Sequence, residues 1–260
     1  MAAAAKKATD FSSVTETWGL AASPEQLSMM YSRYRFASEL AGGGRVLEVG
    51  SGAGLGLRYL RDHTGGVVGA DYTFSLLEQS RAHLPQVPLA RGDAQALPFA
   101  DSSFDLVLML EMIYYVADAN RALEETRRVL RPNGRILITT PNPDRPDFNP
   151  SPFTYEYPNV PKLAGWLRSA GFVESVYGNF PVEAKSSRDR ALAPLRHLAV
   201  SLHLIPRSMR MKALLKRILY GGHRLDEVRE GISEYRAPEP ITSSVPDPSF
   251  KVLYAVGRLA

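Results

Sequence analysis

Three acids follow three short apolar runs, and a glycine loop sits behind the first of them. Glu48 opens Glu48-Val-Gly-Ser-Gly-Ala-Gly-Leu-Gly56, in which Gly50, Gly52 and Gly54 let the chain turn tightly and let a ligand approach the main chain. The spacing excludes two phosphate loops. A dinucleotide Gly-x-Gly-x-x-Gly needs glycine at 55 or 57, and both are Leu; a P-loop needs Gly-Lys-Ser/Thr, which does not follow. A carboxylate two residues before the first glycine suits a ligand ammonium group, not a pyrophosphate. Asp71 comes 21 residues after Gly50, where a carboxylate accepts from ribose hydroxyls. Asp93, in Asp93-Ala94-Gln95, is placed to accept from an adenine amino group. Any one of these acids alone is more often a loop or helix cap. Three in succession, with a glycine loop at the first, are hard to read that way.

The elements that must position them alternate. Pro24 to Leu40 has apolar residues at helical spacing, and Gly42-Gly43-Gly44 ends it. Strands are expected at 45–49, 66–70, 89–92, 104–110 and 135–140, with helices at 75–83 and 119–130 between them, and Arg131 to Gly134 as a turn. Repeated β-α units predict an α/β fold with a parallel, doubly wound sheet, whose ligand sits beyond the carboxyl ends of the strands. A helix at 160–170 and strands at 172–177 and 250–259 complete it. The 260 residues suit one large domain or two small ones, and one domain with a lid is the preferred division. We expect a flexible N-terminus over 1–23, a ligand-binding domain over 24–180 plus 249–260, and a basic helical insertion or lid over 181–248. There is no Cys, which excludes disulfides, thiolate metal sites and Cys nucleophiles. The balance of 31 basic against 27 acidic residues is too mild to imply a nucleic-acid partner.

With these residues in place the sequence resembles the class I S-adenosylmethionine-dependent methyltransferases of the small-molecule type. The resemblance rests on Val46 to Gly54, Gly69-Ala-Asp-Tyr72, Gly92-Asp-Ala-Gln-Ala-Leu-Pro-Phe99, Ser103 to Val107 and Glu124 to Gly134, in order, within roughly residues 40–180. It implies a Rossmann-like seven-stranded sheet with the last strand antiparallel and helices on both faces. It implies S-adenosyl-L-methionine as cofactor and S-adenosyl-L-homocysteine as product. The cofactor set carried over is Glu48, Gly50, Ser51, Gly52, Gly54, Asp71, Tyr72, Asp93, Ala94 and Leu110. Past the fourth strand, the resemblance puts Glu111 near the sulfonium and the acceptor, either as a general base or stabiliser of positive charge, or as a cofactor neighbour with no proton role. Tyr115 joins it as a catalytic candidate, and Tyr114 either lines the acceptor pocket or packs under the lid. No His falls here, against a His-based mechanism. Nucleic-acid aminomethyltransferases carry Asn/Asp-Pro-Pro-Tyr/Phe at this point, and Glu111-Met-Ile-Tyr114 is different. No cluster of metal ligands is visible.

Thr140 to Tyr157 is rich in Pro and must leave the sheet as a loop. Its Phe148, Phe153 and Tyr155, with Tyr157, form an aromatic acceptor wall or simply pack the loop. Residues 185–224 hold ten Lys and Arg against one acid, Asp189. They make an anionic or lipid-linked acceptor, or peripheral contact with an anionic membrane, one reading, a lid with solvated charges another, and nucleic acid a third. No segment is long and apolar enough for a membrane span and no signal peptide is evident, so a cytoplasmic protein is expected. The expected activity is methyl transfer to oxygen or nitrogen of a sugar, glycolipid or secondary metabolite. The alternatives are carbon methylation of a prenyl diphosphate with Glu111 as base, and a non-catalytic or RNA-associated cofactor-binding protein.

Overall fold

The computed structural model describes residues 10–151, 153–182 and 224–259. Helix α1 (Pro24–Ala41) opens on a capping box, in which Ser23 accepts from the Gln26 backbone and the Gln26 side chain accepts from Ser23 N. It ends on Gly42 in the left-handed region. There follow β1 (Val46–Val49), α2 (Leu57–His63), β2 (Val67–Asp71), α3 (Phe74–His83), β3 (Leu89–Arg91) and β4 (Phe104–Leu110). A single 3-10 turn (Ile113–Tyr115) leads to α4 (Ala119–Val129), β5 (Leu130–Pro141), α5 (Val160–Ser169), β6 (Phe172–Pro181), β7 (Glu239–Ile241) and β8 (Phe250–Leu259).

The strands form one sheet in the order β3-β2-β1-β4-β5-β8-β6-β7. The first five positions are parallel, and β8 runs antiparallel between β5 and β6. The order reverses between β1 and β4, so their carboxyl ends open on one crevice. Apolar side chains cover both faces. Val46, Leu106 and Leu108 pack with Met30, Tyr31 and Leu60 on one side; Leu47, Val49 and Val107 pack with Leu123 and Leu163 on the other. This double cover explains why β1 is buried along its whole length. Arg131 to Gly134, expected as a turn, is absorbed into β5 as a bulge, where the register slips between Phe104–Leu130 and Leu106–Arg135.

The expected seven strands are present, and an eighth, β7, adds to the edge of β6 with Val176 opposite Ile241. It lies inside the span 181–248 expected to be helical. Residues 183–223 of that span lie outside the described residues, and residues 224–248 contain no helix. Four prolines and Gly231 deny this stretch a helical ladder. It returns along α1 instead, burying Leu225 and Val228 and anchored by Ser28 Oγ to Glu234 O (2.6 Å) and Arg236 N to Ser32 Oγ (3.0 Å).

Of the span 1–23 expected to be flexible, residues 1–9 lie outside the described residues, and the remainder is held in place. Residues 10–22 are a strap across the carboxyl ends of the strands, not a loose tail. Phe11 N donates to Thr73 Oγ1 (3.2 Å), Trp18 Nε1 to Ala53 O (2.7 Å) and Gly19 N to Leu225 O (2.8 Å), and Ala21 bridges Arg224. Its few large residues, Phe11, Trp18 and Leu20, supply the grip that its small, polar composition concealed.

Candidate active site

The glycine loop leaves β1 with Gly50 N and Ser51 N both donating to Ala70 O (2.8 and 3.0 Å), which ties it to the end of β2. Gly52 sits at φ 55°, and a Cβ there would lie 2.8 Å from Thr15 Cγ2 of the strap. Only glycine satisfies both the backbone and the overlying chain. Asp71 receives Gly52 N on Oδ2 (2.8 Å) and Thr73 N on Oδ1 (2.7 Å). Burial nevertheless raises its pKa, with those bonds opposing. Asp93 Oδ1 accepts from Gln95 N and Gln95 Nε2 (2.9 and 3.0 Å), so the cap reading of that acid is satisfied within its own loop while its side chain still faces the cavity.

Glu48 is 2% exposed, and the pleat turns it toward α1, where Tyr34 OH donates to Oε1 at 2.7 Å. Its other oxygen, Oε2, has no partner. Burial pushes the Glu48 carboxyl up to about 8, against Tyr34 and Arg33, which oppose. Glu111 follows β4 with φ 56°, rare for a side-chain-bearing residue, and its N–H is pinned by Thr139 O and Thr139 Oγ1 (3.0 and 3.2 Å). The strained backbone sends the carboxylate into the crevice, where Tyr114 OH is 3.4 Å from Oε2 and Arg33 Nη1 3.7 Å from Oε1. Burial raises the Glu111 pKa, and the Arg33 charge partly offsets it.

These groups share a cavity of about 520 Å³. Glu48, Gly50, Ser51, Gly52, Asp71, Tyr72, Asp93, Ala94, Leu110, Glu111, Tyr114, Tyr115 and Tyr155 all line it. Gly54 does not: it lies behind the loop, where a Cβ would run into Ser80 Oγ, so its small size serves the seating of α3. Phe148 and Phe153 are not on the cavity wall either. The Phe148 ring meets Tyr157 edge-on at 4.7 Å, and Tyr157 stacks on Tyr114 at 4.5 Å, so this part of the aromatic loop buttresses the wall from behind. Tyr72 and Tyr155, 41% and 47% exposed, stand at the mouth. Tyr115 OH reaches Ser151 Oγ at 3.3 Å.

Among the wall residues unseen in the sequence are Phe11, Glu16, Arg33 and Tyr34. Arg33 had a signal. It is one turn from both Met30 and Ala37 on the apolar face of α1, and a guanidinium there must be paired. Its Nη2 meets Glu16 Oε2 at 3.0 Å. Burial works against its charge, and Glu16 and Glu111 more than restore it. Among the described residues no group of three or more His, Asp or Glu could hold a metal ion.

A ligand bearing a sulfonium and an α-amino acid end fits this wall. Five carboxyl groups face one guanidinium, the partnerless Glu48 Oε2 can receive an ammonium group, and the buried Arg33 Nε, also without a partner, can meet a carboxylate.

Comparison with known proteins agrees. The family described as "Methyltransferase domain" matches residues 47–138. A probable S-adenosylmethionine-dependent methyltransferase of Mycolicibacterium smegmatis is 34% identical over 154 residues, covering 56% of this chain and 59% of that one. The chain thus spans less than two thirds of that relative's length. The demethylmenaquinone methyltransferase of Clavibacter sepedonicus is 30% identical over 168 residues, covering 53% of this chain and 69% of its own. The fold is shared with a solved SAM-dependent methyltransferase of Thermotoga maritima, described as a possible histamine N-methyltransferase, at TM-score 0.56 and 17% identity over 91% of this chain and 94% of that one. Fold order, the crevice at the β1–β4 reversal, the cofactor-matched wall and these likenesses agree: the chain belongs to the class I S-adenosylmethionine-dependent methyltransferases.

Proposed function

We propose that the enzyme methylates an oxygen or nitrogen of a small acceptor, a sugar, glycolipid or secondary metabolite whose reacting end is uncharged. One observation carries this reading: Glu111, held by a strained backbone, and Tyr115 open into the same cavity as the cofactor-binding acids. S-adenosylmethionine supplies a methyl group already activated on a sulfonium, so the chain has to align, exclude water and manage one proton. Asp71 fixes the ribose and Glu48 the ammonium group. The strap covers the crevice. Glu111 takes the proton of the attacking hydroxyl or amine, and Tyr114 OH steadies its second oxygen. The acceptor enters between Tyr72 and Tyr155.

The wall weighs against an anionic group at the reacting end. Its one described guanidinium is already shared between Glu16 and Glu111, which leaves a prenyl diphosphate no cation among the described lining residues. A distant anionic or lipid-linked end falls to residues 185–224, with their ten basic residues. Transfer of a labelled methyl group to a panel of sugars, glycolipids and aromatic hydroxyl compounds, with isoprenyl diphosphates alongside, tests the reading. Glu111→Gln is expected to lower turnover on the accepted class roughly 100-fold. Turnover on the diphosphates alone, or an unaffected Glu111→Gln enzyme, overturns it.

A further inference from the structure

Three separate segments place charge on one spot. Arg33 comes from α1, Glu16 from the strap and Glu111 from the end of β4. The guanidinium is 11% exposed, with Glu16 Oε2 at 3.0 Å on one side and Glu111 Oε1 at 3.7 Å on the other. The two contacts are unequal. Glu16 accepts a hydrogen bond from Arg33, while Glu111 Oε1 has an ion-pair neighbour but no hydrogen-bond donor. Thr139 holds the Glu111 N–H and φ is 56°, which fixes the point from which the side chain leaves the backbone. The strap acid therefore has the better share of a cation that both carboxylates need.

We propose that Arg33 is a positioning residue divided between two carboxylates, and that the seating of Glu16 on it sets how firmly Glu111 holds a proton. With the strap down, Arg33 is drawn to Glu16 and Glu111 becomes the stronger base. With the strap lifted, Arg33 turns wholly to Glu111 and weakens it. Base strength then rises only once the crevice is covered, when an acceptor is enclosed and water is out.

The other groups around Glu111 do not supply this control. Tyr114, Tyr115 and Tyr157 on the loop side, and Tyr254 on β8, are phenols that burial moves further above their ordinary range, so they stay neutral where a carboxyl titrates. Thr139 has no charge, and Glu48 on β1 feels Arg33 but is turned away to accept from Tyr34 OH. The direction of the Glu111 pKa agrees: Arg33 lowers it and Glu16 raises it.

The inference rests on the assignment of Glu111 to the acceptor, yet its test needs no turnover, so the two can fail separately. The cofactor-free full chain, labelled with ¹³C at Glu carboxyl carbons, is titrated by NMR, and the Glu111 signal is identified by its loss in Glu111→Gln. Glu16→Gln, at a half-exposed position that leaves the core intact, is expected to lower the Glu111 midpoint by roughly half a pH unit or more. Arg33→Met is expected to raise it by about one unit or more, and Arg33→Lys, which folds with its charge kept, to fall between native and Arg33→Met. A Glu111 midpoint in Glu16→Gln equal to or above the native value overturns the proposal, as does a native midpoint in Arg33→Lys combined with no rise in Arg33→Met.

Discussion

Cofactor binding should expel a proton from Glu48. In the free chain its carboxyl titrates at about 8, against an ordinary value of 4.5, because it is buried with one oxygen partnerless. At neutral pH about nine tenths of molecules therefore carry a proton there. An ammonium group against Oε2 favours the ionised form and returns the carboxyl toward its ordinary range. The expected release is about 0.9 proton per cofactor bound at pH 7, and affinity should improve about tenfold per pH unit up to pH ~8, then level off. Titration calorimetry of S-adenosylmethionine in buffers of different ionisation enthalpy reads the release directly. Asp71 and Glu111 are also raised by burial, so the Glu48 share is read as the difference between the native chain and Glu48→Gln, which should release about 0.9 proton less. Stability gives a second readout with a fixed sign. The folded-state value lies above the unfolded one, so the contribution is complete below pH ~4.5 and disappears as pH rises through about 8, at ~1.4 kcal/mol per unit. The native Tm should thus decline over that window more than that of Glu48→Gln. Equal proton release in both chains would refute the reasoning.

Asp71→Ala removes the ribose acceptor together with the Gly52 and Thr73 backbone bonds, and should weaken S-adenosylmethionine on the order of 100-fold by calorimetry. Gly52→Ala meets both a positive φ and Thr15 Cγ2, so it should lift the strap and lower Tm; differential scanning calorimetry is expected to show a loss of about 1–3 kcal/mol. If residues 185–224 meet an anionic surface, the chain should sediment with phosphatidylglycerol vesicles, not phosphatidylcholine ones, and lose that binding as salt rises.

What was legible in the sequence is what is local. The β-α alternation, the acids Glu48, Asp71 and Asp93 and the loop between them repeat within spans of about twenty residues, and periodicity exposes them. Glu111 and Tyr115 followed from their place after β4. The rest depends on distant partners. Nothing near residues 10–22 announces that Leu225 will receive Gly19, or that Ala53 will accept the Trp18 indole. Phe148 looked like an acceptor contact because loop and aromatic content were visible while the direction of its ring was not. The helical reading of the insertion rested on amphipathic stretches before residue 224, which lie outside the described residues, and it was carried too far into 224–248, where the prolines after 236 already argued for extended chain. The acidic wall reverses the mild net charge: the overall excess is positive, and the part that meets the cofactor is negative.

The strap joins residues about two hundred apart in the chain, Gly19 to Leu225 and Ala21 to Arg224. Contacts at that separation form only after the sheet has brought the termini of a long loop together, and they are among the first to open. During synthesis the glycine loop, Asp71 and Asp93 are complete long before Leu225 leaves the ribosome. A half-made chain therefore owns a place for the cofactor and the strap's bonds to Thr73, Ala53 and Arg33, but not the pair at Leu225 and Arg224. Residues 224–259 contribute no described side chain to the cavity wall, yet two of the strap's anchors, Leu225 and Arg224, lie there.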